Sequence, residues 1–220
     1  MKFLSFDCAT KTFAFSCGEI NIDEVKETLN NIIILENEIQ HITSIEKLII
    51  FKENIYKIKK KIKSFITLDD GETIDLFPGI DNEKIDIVSR LRALVNYVKS
   101  RIPNQSIDTK IFIEFQMGQN PKARAIVSSL ITLFYEHEII IVNPSLKNKI
   151  YLSDDGRYCH FIKKYSSNYI ANKEHCKYNF NIVEIYFNSK IPYSNKRIRG
   201  HIADSFMQVL GHLKYGKKYV

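Results

Sequence analysis

The chain has 220 residues, 45% of them hydrophobic, which is enough for one well-filled core and too few for two domains of ordinary size. Its net charge of +7 is lopsided: residues 1–110 hold 16 Lys and Arg against 17 Asp and Glu, whereas residues 111–220 hold 16 against 8. No apolar run approaches the roughly 18 residues of a membrane span and no charged-apolar-small leader opens the sequence, so a soluble protein without a secretory signal is expected.

KFLSF (2–6) predicts a buried first strand, FAFSCGEI (13–20) its hairpin partner, and NNIIILEN (30–37) a third strand. Residues 44–66 switch to helical period, with Leu48, Phe51, Ile55, Ile58, Ile62 and Phe65 at steps of three and four. That stripe either packs on the chain's own sheet or supplies a dimer seam. DDGETIDLFP (69–78) breaks the pattern with acids, Gly and Pro and predicts a surface loop. A second helix runs from about Glu83 to Arg101 and stops before Pro103. TKIFIEF (109–115) is a fourth strand, and PKARAIVSSLITLFYEHE (121–138) a helix opened by Pro121, where a missing N–H costs nothing. EIIIVNP (138–144) is a fifth strand, ended by Pro144. A lysine- and tyrosine-rich, largely helical tract over about 159–187 follows, then a basic loop, SNKRIRG (194–200), and a last helix, HIADSFMQVLGHL (201–213). The order βββαβαβα predicts a single α/β domain over 1–220, a five-stranded mixed sheet with helices on both faces.

Three separated segments carry the chemistry. Asp7 follows the apolar Phe3, Leu4 and Phe6 at the end of the first strand, where a carboxylate is expected to be held rigidly yet reach solvent. Glu114 ends Ile111-Phe112-Ile113, a strand too apolar to tolerate an unpaired charge; a metal ion or a salt bridge to a lysine would satisfy it. His201 and Asp204 stand at i and i+3, so both project from one helical face, with Arg197 and Arg199 just before them. Gly200 would permit a sharp entry to that helix. The excess positive charge lies in the half that holds Glu114 and Asp204, and a polyanion suits such a surface.

In order and spacing these segments resemble the RNase H-like superfamily, and within it the RuvC-type Holliday junction resolvases, especially those of poxviruses and related large DNA viruses. The stretch after Glu114, QMGQNPKAR, resembles the resolvase pattern at Gln116, Asn120, Lys122 and Arg124, which would grip phosphates near the cut. The resemblance implies that Asp7, Glu114, Asp204 and His201 hold two Mg²⁺ about 4 Å apart, Mn²⁺ substituting, with no small-molecule cofactor. Most proteins of this kind have an acid where His201 stands, although some bacterial members have histidine. A neutral imidazole there ligates metal or orients water. The resemblance further implies a homodimer acting on branched DNA, paired symmetric nicks leaving 5′-phosphate and 3′-hydroxyl ends, and resolution of viral genome concatemers in the host cytoplasm.

Other readings fit less of the chain. DCATKT (7–12) resembles the first phosphate loop of actin-like and sugar-kinase ATPases, but those loops want Gly where Ala9 stands and those enzymes need two copies of the core. A catalytically inactive branched-DNA-binding protein of the same fold would not need all three acids. Cys159-His160 and His175-Cys176 are adjacent within each pair, whereas zinc pairs usually leave about two to four residues between ligands. Cys8, Cys17, Cys159 and Cys176 show no disulfide-framework spacing, which suits a reducing compartment.

Overall fold

The computed structural model describes residues 1–8, 12–39, 41, 43–102, 105–115, 120–149, 167–185 and 196–216. Its five strands are β1 (Lys2–Cys8), β2 (Thr12–Ile20), β3 (Ile66–Asp75), β4 (Lys110–Glu114) and β5 (Ile139–Val142). Among the described residues there are six α-helices: α1 (Ile22–Ile39), α2 (Ile45–Ile62), α3 (Ile87–Arg101), α4 (Pro121–Leu133), α5 (Asn168–Ile185) and α6 (Lys196–Tyr215). The sheet order is β3-β2-β1-β4-β5. The first three strands form an antiparallel meander, while β4 runs parallel to β1 and β5 parallel to β4.

Strand alternation divides the core in two. Phe3 and Phe112 face a cluster with Val25 and Leu29 of α1, Phe180 of α5, and Phe206 and Leu210 of α6. Leu4, Phe6, Phe13, Ile111 and Ile113 face the opposite way, against Leu94 and Val98 of α3 and Ile126 and Leu130 of α4. Each fully buried side chain of this size contributes about 1.5–3 kcal/mol. The mixed five-stranded sheet with helices on both faces is therefore the observed architecture. Among the described residues no helix is long and apolar enough to cross a membrane.

The third strand is not where the sequence pattern puts it. NNIIILEN lies inside α1, whose first turn carries Asp23 and Glu24 at the favourable end of the helix dipole. Val25 and Leu29, one turn apart, pin that helix to the sheet, so helical packing overrides the β-branched run. The acidic stretch read as a loop instead forms most of β3, an edge strand. Ile66 and Leu68 bury the inner side of β3, and Arg101 holds its acids, 2.9 Å from Asp70 Oδ2 and 2.8 Å from Glu72 Oε2. Charges on an edge also discourage a further strand from pairing.

The helix at 44–66 is α2, ending at Ile62. Ile62 is in the core and Ile58 packs against it, so the root of the periodic stripe faces the protein's own sheet. The side chains of Leu48, Phe51 and Ile55 lie outside the described residues. α3 starts at Ile87, later than expected, because Asp86 caps it by accepting from Ser89 N at 2.9 Å. The basic stretch at 194–200 is not wholly a loop, since α6 begins at Lys196. Gly200 lies inside α6, where an added Cβ would come 3.0 Å from Lys177 Cε of α5. It does not make a sharp entry, because the helix begins four residues earlier, at Lys196.

Candidate active site

Phe3, Ser5 and Asp7 alternate onto one face of β1, and Phe112 and Glu114 onto the same face of β4. Because the two strands pair in parallel with Phe6 opposite Ile113, Asp7 and Glu114 finish side by side at the carboxyl ends of the strands. In open sheets that edge is the usual place for a ligand crevice. α6 lies across this face and is locked to it by buried polar bonds. Ser5 Oγ donates to Ser205 O at 2.5 Å, Ser205 Oγ to Ser16 Oγ at 3.0 Å, and Gln208 Nε2 to Phe6 O at 2.9 Å. These interior bonds fix one register of helix on strand, and that register delivers His201 and Asp204 to the acids.

The result is a compact charged cluster. His201 Nδ1 lies 2.9 Å from Asp7 Oδ2, and its Nε2 lies 3.4 Å from Thr12 Oγ1. Donor atoms of Asp7, His201 and Asp204 all fall within 4.8 Å of one another, the spacing of a shared cation site. Asp7, Glu114 and Asp204 are only 6%, 7% and 4% exposed, so water screens them poorly. Glu114 joins through a hydrogen bond to Asp7 and an ion pair with Lys147, whose Nζ lies 3.3 Å from Glu114 Oε1 and 3.5 Å from Asp204 Oδ1. Lys173 of α5 approaches from the solvent side, 3.8 Å from Asp204 Oδ2.

The electrostatics follow from this crowding. Burial works to raise the Asp7 carboxyl, but the His201 bond, the Lys147 ammonium and the bond from Glu114 outweigh it and hold it at about 2. Ionised Asp7 can only accept hydrogen bonds, so His201 Nδ1 carries the proton between them. Glu114, desolvated by burial and facing the Asp7 and Asp204 charges, is pushed up to about 8 despite Lys147. Burial works against the Lys147 charge, yet Asp204, Glu114 and Asp7 prevail and keep it an ammonium well above its usual range. The site therefore retains a proton and a lysine cation against its acids. A cluster that demands positive charge, built from carboxylate oxygens and one imidazole, fits divalent metal ions.

The structure thus brings together Asp7, Glu114, His201 and Asp204, and adds Lys147, Lys173 and Thr12, which the sequence reading did not single out. Of the two ways to satisfy Glu114, the lysine is present in this structure. Lys147 sits in a short 3₁₀ turn, Leu146–Lys149, five residues past the end of β5. Gly211 admits that turn against α6: a Cβ there would meet the Leu146 carbonyl at 2.7 Å. The position of Lys147 just beyond a parallel strand's carboxyl end was a usable signal.

The surrounding basic residues divide differently. Asn120 caps α4, its side chain accepting from Lys122 N at 3.1 Å and Ala123 N at 3.3 Å. Lys122 is half-buried and Arg124 exposed in the first turn of that helix. Gln116 lies outside the described residues, as do the side chains of Arg197 and Arg199, whose backbone belongs to the first turn of α6. His175 and Cys176 are fully buried on α5, Cys176 with its thiol pushed up by burial and by Asp204, while Cys159-His160 lies outside the described residues.

No protein-family model matches the chain, and no curated protein sequence does. Among solved structures it is similar to the fowlpox virus resolvase in complex with its substrate Holliday junction DNA, with 14% identity, a TM-score of 0.51 and 97% of each chain covered. It is also similar to Thermus thermophilus RuvC, with 11% identity, a TM-score of 0.45, and 96% of this chain and 93% of that one covered. Over nearly its whole length the chain shares the fold of the fowlpox virus protein, an RNase H-like five-stranded mixed sheet with helices on both faces.

Proposed function

We propose that the protein is a structure-specific endonuclease that resolves four-way DNA junctions by metal-dependent phosphodiester hydrolysis. The observation that carries this reading is the convergence of Asp7, Glu114, His201 and Asp204 at the carboxyl edge of β1 and β4. Likeness in fold to a resolvase solved on junction DNA supports the choice of substrate.

Asp7, Asp204 and His201, with Glu114 beside them, would hold two Mg²⁺ ions, Mn²⁺ substituting. The ions, when bound, supply activation of the attacking water and neutralisation of charge on the leaving 3′ oxygen. The side chains do the rest. His201 orients Asp7 through their 2.9 Å bond. Lys147 offsets the repulsion between Glu114 and Asp204, so that a further anion, the scissile phosphate, can approach a site otherwise dominated by carboxylates. Lys173, with about a third of its side chain exposed, stands at the solvent side of Asp204, where an incoming phosphate would meet it. Lys122 and Arg124, with Gln116, Asn120, Arg197 and Arg199, would track the backbone on either side, contacts that position DNA without reading its sequence.

A four-way junction is two-fold symmetric and needs two cuts, so the acting species on this reading is a homodimer that nicks opposing strands. In a DNA virus such an activity would separate concatemeric genomes. The test is side-by-side cleavage of labelled four-way junction, splayed duplex and linear duplex with Mg²⁺. Paired nicks in the junction alone, absent in Asp7→Asn, are expected. Junction binding without cleavage in Mg²⁺ or Mn²⁺ would sink the nuclease and leave a branched-DNA-binding protein.

A further inference from the structure

Thr12 opens β2, opposite Asp75 of β3 in the antiparallel ladder. Its neighbours Phe13 and Phe15 are buried on the side of α3 and α4, so alternation turns Thr12, Ala14 and Ser16 to the other face, beneath α6. Phe13 stacks on Phe6 with ring centroids 5.4 Å apart, which fixes the backbone beside Thr12. From this row Ser16 Oγ accepts from Ser205 Oγ at 3.0 Å, and Thr12 Oγ1 lies 3.4 Å from His201 Nε2.

His201 is thereby engaged at both ring nitrogens, Nδ1 with Asp7 at 2.9 Å and Nε2 with Thr12. Nδ1 donates to the ionised Asp7, so in a neutral ring Nε2 is bare and accepts from the Thr12 hydroxyl. That arrangement leaves no ring nitrogen open to a cation, although one lies within 4.8 Å of the donor atoms of Asp7 and Asp204. The other tautomer removes the conflict: with the proton on Nε2, Nδ1 is bare and faces the acids. A hydroxyl serves both tautomers, because it donates and accepts. A carboxylate in its place would only accept, and an ammonium would only donate. Thr12 is half-buried and the His201 side chain 14% exposed, so solvent water can take the proton from Nδ1 and return one to Nε2, with the ring's proton count unchanged.

We propose that Thr12 is a positioning residue of the metal centre, its hydroxyl holding His201 Nε2 in either tautomer so that Nδ1 can turn from a donor to Asp7 into a ligand for a divalent cation. The proposal rests on the metal-centre part of the reading above, and adds the hydroxyl without which the imidazole stays closed to the ion. A ligating imidazole usually gives its second N–H to an acceptor, and losing that acceptor costs about 10–100-fold in metal affinity.

The test pairs Mn²⁺ calorimetry with imidazole ¹⁵N spectra of the full-length, histidine-labelled protein, recorded without ion and with saturating Mg²⁺, which is diamagnetic. Among the six histidines, the His201 signals are those missing in His201→Asp. In the native chain the ring proton should sit on Nδ1 without ion and on Nε2 with it. Thr12→Val keeps the shape of the side chain and suits a strand; it should lose about tenfold or more in Mn²⁺ affinity with an unchanged circular dichroism spectrum. Thr12→Ser, which keeps the hydroxyl, should regain the affinity. Equal affinity in Thr12→Val and the native chain overturns the proposal and leaves the metal centre standing. So does a loss that Thr12→Ser does not repair, which assigns Thr12 to packing through its methyl group. A ring proton that stays on Nδ1 in saturating Mg²⁺ overturns it as well. A native chain that binds no Mn²⁺ overturns the metal centre, and this proposal with it. If Thr12→Val unfolds the chain, Thr12→Ala against Thr12→Ser decides by the same comparison.

Discussion

Lys147 Nζ lies 3.3 Å from Glu114 Oε1, joining the turn after β5 to the end of β4 in a nearly water-free site. The same ammonium lies 3.5 Å from the buried Asp204 carboxylate, and removing one partner of a buried charge pair costs about 3–5 kcal/mol. Lys147→Met should therefore destabilise the metal-free protein on that scale. Saturating Mn²⁺ should recover part of the loss, since an ion that binds only the folded site supplies the missing charge. Urea unfolding in chelator and in Mn²⁺ makes the comparison. An equal loss in both would mean that Lys147 is a packing residue and not a charge partner.

Glu114 gives the same site a pH signature. Its carboxyl is raised by burial from 4.5 to about 8 in the folded chain, so the native state holds a proton that the unfolded chain releases. Stability from this group is present below about 4.5 and is lost as pH rises toward 8. The depressed Asp7 carboxyl has the opposite sign, but its window lies between about 2 and 3.8, below that range. The metal-free protein should then lose up to a few kcal/mol between pH 5 and about 8 in denaturant titrations. Glu114→Gln should flatten that slope and be the more stable form at pH 8. An unchanged slope would show that Glu114 is already ionised at low pH.

Asp7→Asn, Glu114→Gln and Asp204→Asn should each reduce junction cleavage by at least about a thousandfold while changing junction affinity little. Carboxylates at the base of the cluster act on chemistry, whereas phosphate contacts from Lys and Arg hold the DNA. Single-turnover cleavage and gel-shift titration separate the two effects. Retained cleavage in any two of the three variants would remove them from the active site.

Asp7 and Glu114 were legible in the sequence because each ends an apolar run, and strand alternation together with parallel pairing carries that pattern into space. His201 and Asp204 were legible through the spacing of a helical face. β3 was not, because an edge strand is buried on one side only and its acids are satisfied by Arg101, which lies 26 residues beyond the end of the strand. Lys147 was missed because its 3₁₀ turn has no hydrophobic period; the signal it did offer was its place just beyond the end of β5, beside β4. Asn120 also caps α4, a use that an Asn just before Pro121 at a helix start announces in the sequence.

His201 brings an imidazole to a site otherwise built of oxygen donors, and nitrogen ligands favour Mn²⁺ over Mg²⁺ more than carboxylates do. His201→Asp should therefore bind Mg²⁺ more tightly relative to Mn²⁺ than the native protein does, and should cut better than His201→Ala. Calorimetry with each ion, and cleavage in each, test the two halves separately. Ca²⁺ should support junction binding without efficient cutting, because its looser coordination positions water poorly. An unaltered Mn²⁺ to Mg²⁺ affinity ratio in both variants would reduce His201 to the residue that orients Asp7.

Lys122 and Arg124 occupy the first turn of α4, eight and ten residues along the chain from Glu114, at the helix end whose dipole attracts anions. The second half of the chain also holds the whole positive excess. Each phosphate neutralised by a basic side chain contributes about 0.9 to the slope of log affinity against log salt. Lys122→Gln with Arg124→Gln should thus weaken junction binding at low salt and make that slope shallower by roughly one to two units. The same variant should keep the Mn²⁺ affinity of the acid cluster, since neither side chain is paired with it. An unchanged slope would place the DNA on another face, and the lysine-rich root of α2 would then be the first surface to neutralise.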